Sequence, residues 1–511
     1  MEKYLSVAEM IAVEKASDAI GHTYPMMMAH AGRSLAEVVL QTQMSSVLGL
    51  IGKGNNGGDA LVAMADLLDA GWRAVAYLTA QRENDPLLDE FVAKGGQVKI
   101  HNADVNFQDE LVSQIVKGEV LLDGLLGTGI KLPLRPPVPE ILAVIKKYLE
   151  ESEHPPIVIA VDCPSGVDCD TGEVPEDCLE ADITVCMAAV KQGLLMLPAY
   201  KYLGDLIVGN IGVSPYLREW QQINRYVLDQ DFIETVLPER GLDSHKGTFG
   251  TALVVAGSRN YAGAALLAGK AAFRSGAGWV KIAIPELLHP YLVSSFIEAT
   301  WVPLPGNQWG FCEKDAAILH QSMDKETAVL LGPGFGQTDD VTAFVHAFVK
   351  PDLPPTVVDA DGLKLLSKLD HWWDHLPPHT ILTPHPGEMS IITGLPVSDI
   401  QADRVAAAEH YAREWNHIVV LKGAFTVIAE PDGKTAILPV ATPALARAGT
   451  GDVLAGIITG LLAQKMVPFD AAAAGVWLHA QAGLAAAEER GSTAGVLAGD
   501  LIEILPELLI Y

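Results

Sequence analysis

The sequence predicts two consecutive α/β domains, each a mainly parallel sheet held between layers of helices, and three observations predict it. The first is rhythm: short apolar runs recur, each followed by a glycine-rich turn and then by a longer segment of helical period. The second is length, because 511 residues exceed the size at which one core keeps growing. The third is composition, since 49% hydrophobic and 19% charged residues with 47 glycines describe a turn-rich chain able to bury large cores rather than a disordered one.

Strands are expected at residues 47–51, 74–78, 120–122, 157–161, 183–187 and 206–208, and again at 252–256, 280–284, 328–331, 356–358, 381–382 and 418–421. Between the two series, residues 214–247 are rich in charge and show no strand rhythm. The boundary is expected there, giving domains 1–225 and 226–511.

Charge narrows the partners. With 63 acidic against 35 basic residues, the net charge of -28 would repel nucleic acid and an anionic membrane over most of the surface. A nucleotide is not excluded, because helix N-termini and loop amides bind phosphate whatever the net charge. Residues 1–21 carry charges throughout and lack the apolar centre of a signal peptide. No stretch reaches the roughly 18 to 20 apolar residues of a membrane span. Five cysteines, four of them within residues 163–186, lack a paired spacing and read as reduced, mostly buried thiols. A cytoplasmic enzyme is the expectation.

In the first half, GLIGKGNNGGDA is a strand, a glycine-rich loop and a helix expected to begin near Ala60, a geometry that aims backbone N–H groups at an anion. Gly52, Gly54 and Gly57 match GxGxxG, so an ordinary NAD-dependent dehydrogenase is one reading. About 20 residues on, where such an enzyme carries an acid for the ribose, the chain has Ala76, Tyr77, Leu78 and Thr79. Two further strands end in polar loops, LLDGLLGTGIKLPL and VDCPSGVDCDTG. Loops at the carboxyl ends of a parallel sheet converge on one crevice, so Asn55, Asn56, Asp123, Asp162 and Ser165 can share a site. Their oxygens suit an alkali or alkaline-earth cation; each alone would more often shape its own turn.

These segments, with ADITVCMAAVKQG and GDLIVGNIG, resemble the NAD(P)H-hydrate epimerase domain of the YjeF N-terminal type over roughly residues 1–220, with Ala60 and Cys163 as small departures. The resemblance implies a Rossmann-like three-layer αβα domain. It also implies that Asn55, Asn56, Gly57, Gly58 and Asp59, together with Gly127, Thr128, Gly129, Ile130, Lys131, Leu132 and Pro133, hold the hydrate. Asp162 would contact the reacting end as the catalytic carboxylate, and Asn56, Asp123 and Ser165 would ligate K+. Reopening and closing the ring at its hydroxyl-bearing carbon needs a proton-shuttling group, which a loop carboxylate provides. Domains of this type also occur as scaffolds in RNA-decapping factors, a binding-only alternative that the intact loops and acidic chain disfavour.

In the second half, LLGPGFG, VVDADGLKLL, ILTPHPGEM, VVLKGAFTVI and AGTGDVLAG each sit at or just after the end of a strand-like run. In the last of these, Gly449 and Gly451 allow close approach of a phosphate to a helix N-terminus, and Asp452 lies on the first turn. Taken alone, Asp452 is an ordinary helix cap. The set resembles the ribokinase-like superfamily, and within it the ADP- or ATP-dependent NAD(P)H-hydrate dehydratase branch, over roughly residues 230–511. That resemblance implies a ribokinase-like αβα domain. Ala264, Gly334, Gly336 and His385 would lie against the hydrate, Lys422, Gly423, Ala424, Phe425, Thr426 and Gly451 against the adenine nucleotide, and Asp452 would be the catalytic base. Two departures from the family's usual pattern are the approach ATPALARAGTGD and the motif DADGLK.

The joint reading is a bifunctional enzyme that epimerises R and S NADHX and NADPHX and dehydrates the S form with ADP and Mg2+. A homo-oligomer is the expected assembly. The alternative is a small-molecule kinase with a non-catalytic nucleotide-binding module at its N-terminus. Fusion favours repair, because spontaneous hydration gives two epimers, the dehydratase accepts one, and an attached epimerase supplies it from the other.

Overall fold

A computed structural model describes residues 1–103 and 106–509. The chain divides into two compact units, Glu2–Arg225 and Met1 with Tyr226–Tyr511. Ile510 and Tyr511, the end of the second expected domain, lie outside the described residues.

In the first unit seven strands, β1 (Ser46–Ile51), β2 (Arg73–Leu78), β3 (Gln97–Ile100), β4 (Val120–Gly124), β5 (Ile157–Val161), β6 (Ile183–Met187) and β7 (Asp205–Gly209), form a parallel sheet in the order β3-β2-β1-β4-β5-β6-β7. Alternate side chains feed two cores: Val47 and Ile51 join one cluster, Leu48 and Leu50 the other. Three layers follow, because a parallel sheet buried on both faces needs helices on both. The helix after β1 spans Asn55–Asp69. It begins at Asn55, not near Ala60, so the NNGGD segment forms helical turns rather than loop. Gly57 and Gly58 are buried there, where added side chains would crowd the Gly52 backbone and Met28. The order of strands reverses between β1 and β4, the point at which an open sheet leaves a crevice.

The second unit holds nine strands side by side: β8 (Thr251–Val255), β9 (Trp279–Pro285), β10 (Thr300–Leu304), β11 (Ala328–Leu331), β12 (Thr356–Val358), β13 (Ile381–Leu382), β14 (Ile418–Leu421), β15 (Val427–Ala429) and β16 (Thr435–Ile437), in the order β10-β9-β8-β11-β12-β13-β14-β15-β16. Strands β8 to β14 are parallel, whereas β14-β15 and β15-β16 are antiparallel, a hairpin edge that the expectation of parallel layers missed. Val254 and Ile282 face one helical layer, Val255 and Ala283 the other. This sheet reverses between β8 and β11.

Helix Thr450–Ala463 is buried along its length apart from Gly451 and Asp452. It lies against helix Ala262–Arg274 so closely that a side chain at Gly456 or Gly460 would collide with the Ala268 or Ala272 carbonyl. The charge-rich stretch without strand rhythm, 214–247, contains helix Arg218–Gln221, strand Arg225–Val227 and helix Gln230–Val236. Each is too short for its period to show among so many charges. Among the described residues, no helix is long and apolar enough to cross a membrane.

Candidate functional site

In the first unit the loops after β1, β4 and β5 meet at the switch point. Gly52 donates its N–H to the Gly124 carbonyl at 3.1 Å, and any side chain at Gly52 would strike the Leu125 carbonyl. Asn56 is packed against Gly127, where a Cβ would strike its carboxamide, and its Nδ2 donates to the carbonyls of Leu126 at 3.1 Å and Val161 at 2.5 Å. Ser165 donates through Oγ to Asp123 Oδ1 at 2.5 Å and through N to Oδ2 at 2.7 Å, while its Oγ accepts from the Leu126 N–H at 2.9 Å. Asn56, Asp123 and Ser165 thus come together around Leu126. Burial pushes the Asp123 carboxyl up, its hydrogen bonds oppose this, and no basic side chain pairs with it among the described residues. A buried carboxylate, a hydroxyl, an amide and carbonyls make a hard-oxygen donor set, which fits a cation such as potassium. No cluster of three His, Cys, Asp or Glu side chains suited to a metal occurs among the described residues.

Asp162 follows β5 with φ +67°, a conformation a non-glycine residue rarely adopts. This turns its carboxylate to accept from the Met187 N–H at 2.9 Å and from Lys191 Nζ, which also donates to the Met187 carbonyl at 2.8 Å. Lys191 is 1% exposed. Burial works against its charge, but the Asp162 carboxylate outweighs it and holds the ammonium above the usual lysine range. Asp59 lies nearby on the first turns of its helix. Burial first, then the charges of Asp162 and Glu14, push its carboxyl well above the usual range. Glu14, on helix Val7–Ala19, is raised by burial against the pull of Lys191.

Asn55 is exposed at the rim. The segment from Gly127 through Thr128, Gly129, Ile130 and Lys131 runs outward, and Leu132 and Pro133 line an open groove with Leu134, Pro139 and Pro175. Lys191 and Glu14 were not singled out from sequence. The lone lysine in the apolar run VCMAAVKQGLL was the available signal for the first; nothing local marks the second.

In the second unit Asp452 sits on the first turn of its helix behind Gly449, whose φ of +91° makes the turn. Burial first, then the charge of Asp359, pushes the Asp452 carboxyl up to about 7, with Lys422 pulling the other way. Lys422 Nζ donates to Asp359 Oδ1 at 2.6 Å and lies 3.6 Å from Glu388. It would also touch a Cβ at Gly451, at 3.6 Å. Burial opposes its charge, and Asp359 and Glu388 hold it ionised. Around the same loop, Gly423 has φ +147° and Phe425 φ +55°, and Thr426 Oγ closes the turn by donating to the Gly423 carbonyl at 2.9 Å, with Ala424 between.

His385 caps helix Pro386–Thr393: Nδ1 accepts from the N–H groups of Gly387 and Glu388 at 3.0 and 3.2 Å. Burial lowers its pKa, and a ring accepting at Nδ1 carries its proton on Nε2, 3.4 Å from Glu388 Oε1. Glu388 continues to Lys364 at 3.6 Å, Lys364 to Asp361 at 3.3 Å, and Asp361 Oδ2 accepts from the Gly336 N–H at 2.9 Å. Gly334, φ +66°, abuts Ala264, their Cβ positions falling within 2.8 Å. One cleft therefore holds His385, Gly336, Lys422, Gly451 and Asp452, with Gly334 and Ala264 adjoining. Asp359, Asp361, Lys364 and Glu388, inside the quoted motifs but unassigned from sequence, bind it together.

Residues 25–193 match the family model described as YjeF-related protein N-terminus, and residues 252–507 the one described as NAD(P)H-hydrate dehydratase. The bifunctional NAD(P)H-hydrate repair enzyme of Moorella thermoacetica is 35% identical over 95% of this chain and 92% of its own length. That of Escherichia coli K12 is 31% identical over 97% and 91%. The crystal structure of the ADP/ATP-dependent NAD(P)H-hydrate dehydratase of Bacillus subtilis, co-crystallised with ATP/Mg2+, covers 56% of this chain and 98% of its own at 37% identity, with a TM-score of 0.50.

Proposed function

This chain belongs to the family of bifunctional NAD(P)H-hydrate repair enzymes, and from that premise we propose that residues 1–225 interconvert the hydrate epimers while residues 226–511 dehydrate the S form with ADP. The observation that carries the reading is the place of Asp452, on the first turn of a buried helix behind Gly449 and close to Asp359 and Lys422, where burial first and then Asp359 push its carboxyl up to about 7. A carboxyl near 7 at a helix N-terminus is a general base matched to neutral pH. Asp452 takes the proton of the ring hydroxyl. The oxygen attacks the terminal phosphorus of the nucleotide and AMP leaves from ADP. The ring nitrogen's electron pair then expels phosphate from the former hydroxyl carbon, and the adjacent carbon gives up a proton to the departing phosphate or to water as the C=C bond re-forms. The amides around Gly451 and the Lys422 ammonium stabilise charge on the transferring oxygens. Magnesium bound with the nucleotide would neutralise further phosphate charge, with Asp359 and Glu388 the carboxylates beside Lys422 available to hold it.

In the first unit Asn55 to Asp59 and the Gly127 loop receive the hydrate. Asp162, in contact with Lys191, shuttles the proton of the hydroxyl as the ring opens and recloses. Potassium, held by Asn56, Asp123 and Ser165, would supply fixed positive charge beside this crevice. The thiols, four of them buried, suit the reducing cytosol, and a homo-oligomeric state is open to light scattering.

The test is incubation with mixed-epimer NADHX and either ADP or ATP while NADH absorbance is followed. Full recovery is expected with ADP. Recovery stopping at the S fraction would remove the epimerase, and accumulation of a phosphorylated hydrate would make the second unit a simple kinase.

A further inference from the structure

The catalytic cleft of the second unit runs on, away from the nucleotide loop, into a cleft of about 270 Å³ at the β8/β11 switch point. Ser258, Tyr261, Trp309 and Gln337 line it, and so do Gly336 and Asp361, which also belong to the cleft around Asp452. Backbone bonds fix the three loops that build it: Gly257 N–H to the Pro333 carbonyl at 2.8 Å, and Arg259 N–H to the Trp309 carbonyl at 3.0 Å. Two large aromatic side chains stay open to solvent there, Tyr261 at 56% and Trp309 at 50% exposure. The Arg259 guanidinium lies over the Trp309 ring, 5.4 Å from its centre, and pairs with no carboxylate among the described residues. The nearby acids are occupied: Asp361 accepts from Gly336 and Gln337, and Asp340 from Asn307.

Strand order gives this cleft its occupant. The Lys422–Thr426 loop follows β14, the groups around Asp452 follow β12 and β13, and the aromatic cleft lies over β8 and β11 on the other side. If the nucleotide occupies the β14 side and the reacting ring the middle, the rest of a dinucleotide can extend only toward β8. Open α/β sheets take ligands at such a reversal, and an exposed tryptophan and tyrosine offer faces on which a base stacks. We infer that Tyr261 and Trp309 receive the adenosine half of the dinucleotide hydrate, and that Arg259 recognises the 2′-phosphate that distinguishes NADPHX from NADHX. This rests on the proposed dehydratase reading.

Trp309→Ala should raise KM for both hydrates on the order of tenfold with kcat little changed, and Trp309→Tyr should restore it. Arg259→Gln should raise KM for NADPHX about tenfold while leaving NADHX within twofold. Both side chains are exposed, so thermal midpoints should hold. Unchanged KM values would overturn the inference, and equal losses for the two hydrates in Arg259→Gln would overturn the 2′-phosphate assignment. Calorimetry with adenosine 2′,5′-bisphosphate and AMP, with the Lys422–Thr426 nucleotide site saturated by ATP and Mg2+, decides independently of turnover. The parent should prefer the bisphosphate, with the preference lost in Arg259→Gln and both affinities reduced in Trp309→Ala; equal affinities in the parent would overturn it. Failure of the parent to dehydrate either hydrate would strike the dehydratase reading, with the calorimetry still deciding whether the cleft binds adenosine.

Discussion

Each unit buries a lysine among carboxylates at the carboxyl end of a parallel sheet, and the two lysines hold different partners. Lys191 contacts Asp162, the carboxylate proposed to react, and burial pushes up the carboxyl of the neighbouring Asp59. Lys422 contacts Asp359, and Asp452, the carboxylate proposed to react, is left to burial and like charge. The same residue types therefore pair the carboxylate proposed to react with an ammonium in one crevice and leave it raised toward neutrality in the other. What decides is which carboxylate the ammonium touches, because direct contact outweighs charge at longer range where solvent is excluded.

The largest effect expected from breaking this contrast is at Asp452. Asp452→Asn keeps size and helix capping but removes the proton acceptor, so dehydration should fall on the order of 10² to 10⁴, with epimerisation unchanged. Stability should move the other way. The folded carboxyl, at about 7, lies above its ordinary 3.8, so the folded protein holds this proton more tightly than the unfolded chain does. Stability therefore falls as pH rises from about 4 to 7, and at pH 8 the asparagine variant should be more stable by up to about 4 kcal/mol in denaturant titration. A folded variant that dehydrates at the parent rate would return Asp452 to a helix cap.

Next comes Lys191→Met. Removing one partner of a buried ion pair leaves Asp162 uncompensated, at a cost of about 3 to 5 kcal/mol. Epimerisation should be lost and the transition of the first unit lowered, with dehydration of the S epimer retained. Unchanged epimerisation would show that Asp162 does not depend on the contact.

A smaller effect separates the two bases by pH. Dehydration kcat/KM should decline about tenfold per unit below roughly pH 7, as Asp452 takes up a proton. Epimerisation should not share that limb, since the carboxylate proposed to act there touches the Lys191 ammonium directly. Coincident limbs would erase the distinction. The smallest is the cation: replacing K+ with tetramethylammonium should slow epimerisation several-fold and, if Asn56, Asp123 and Ser165 are the ligands, Asp123→Asn should abolish the difference between salts.

How much of this was legible in the sequence depended on the range of the interaction. Strands β1 and β8 could be read because burial on both faces writes an uninterrupted apolar run. Strand β3, QVKI, and the hairpin β15-β16 could not, being short edge segments with little period. Asn56, Asp123 and Asp452, at strand ends and helix starts, could be singled out as candidates because parallel topology sends every strand's carboxyl end to one side of the sheet. The partnership of Lys191 with Asp162 is set by the fold between residues 29 positions apart and has no local pattern. The early start of the helix at Asn55 was hidden for another reason: paired glycines read as loop until tertiary packing supplies the reason for them.

The helix that begins at Asp452's turn has a consequence for timing. Its buried length and the glycine contacts with helix Ala262–Arg274 leave it little room to fray or slide. The amide hydrogens from Val453 to Ala463 should then be among the slowest in the protein to exchange with solvent, opening only when the whole second unit opens. A carboxylate mounted on that segment inherits its clock. Its alignment would persist for as long as the unit stays folded, so motion that admits and releases ligands must come from the surrounding loops rather than from the base itself.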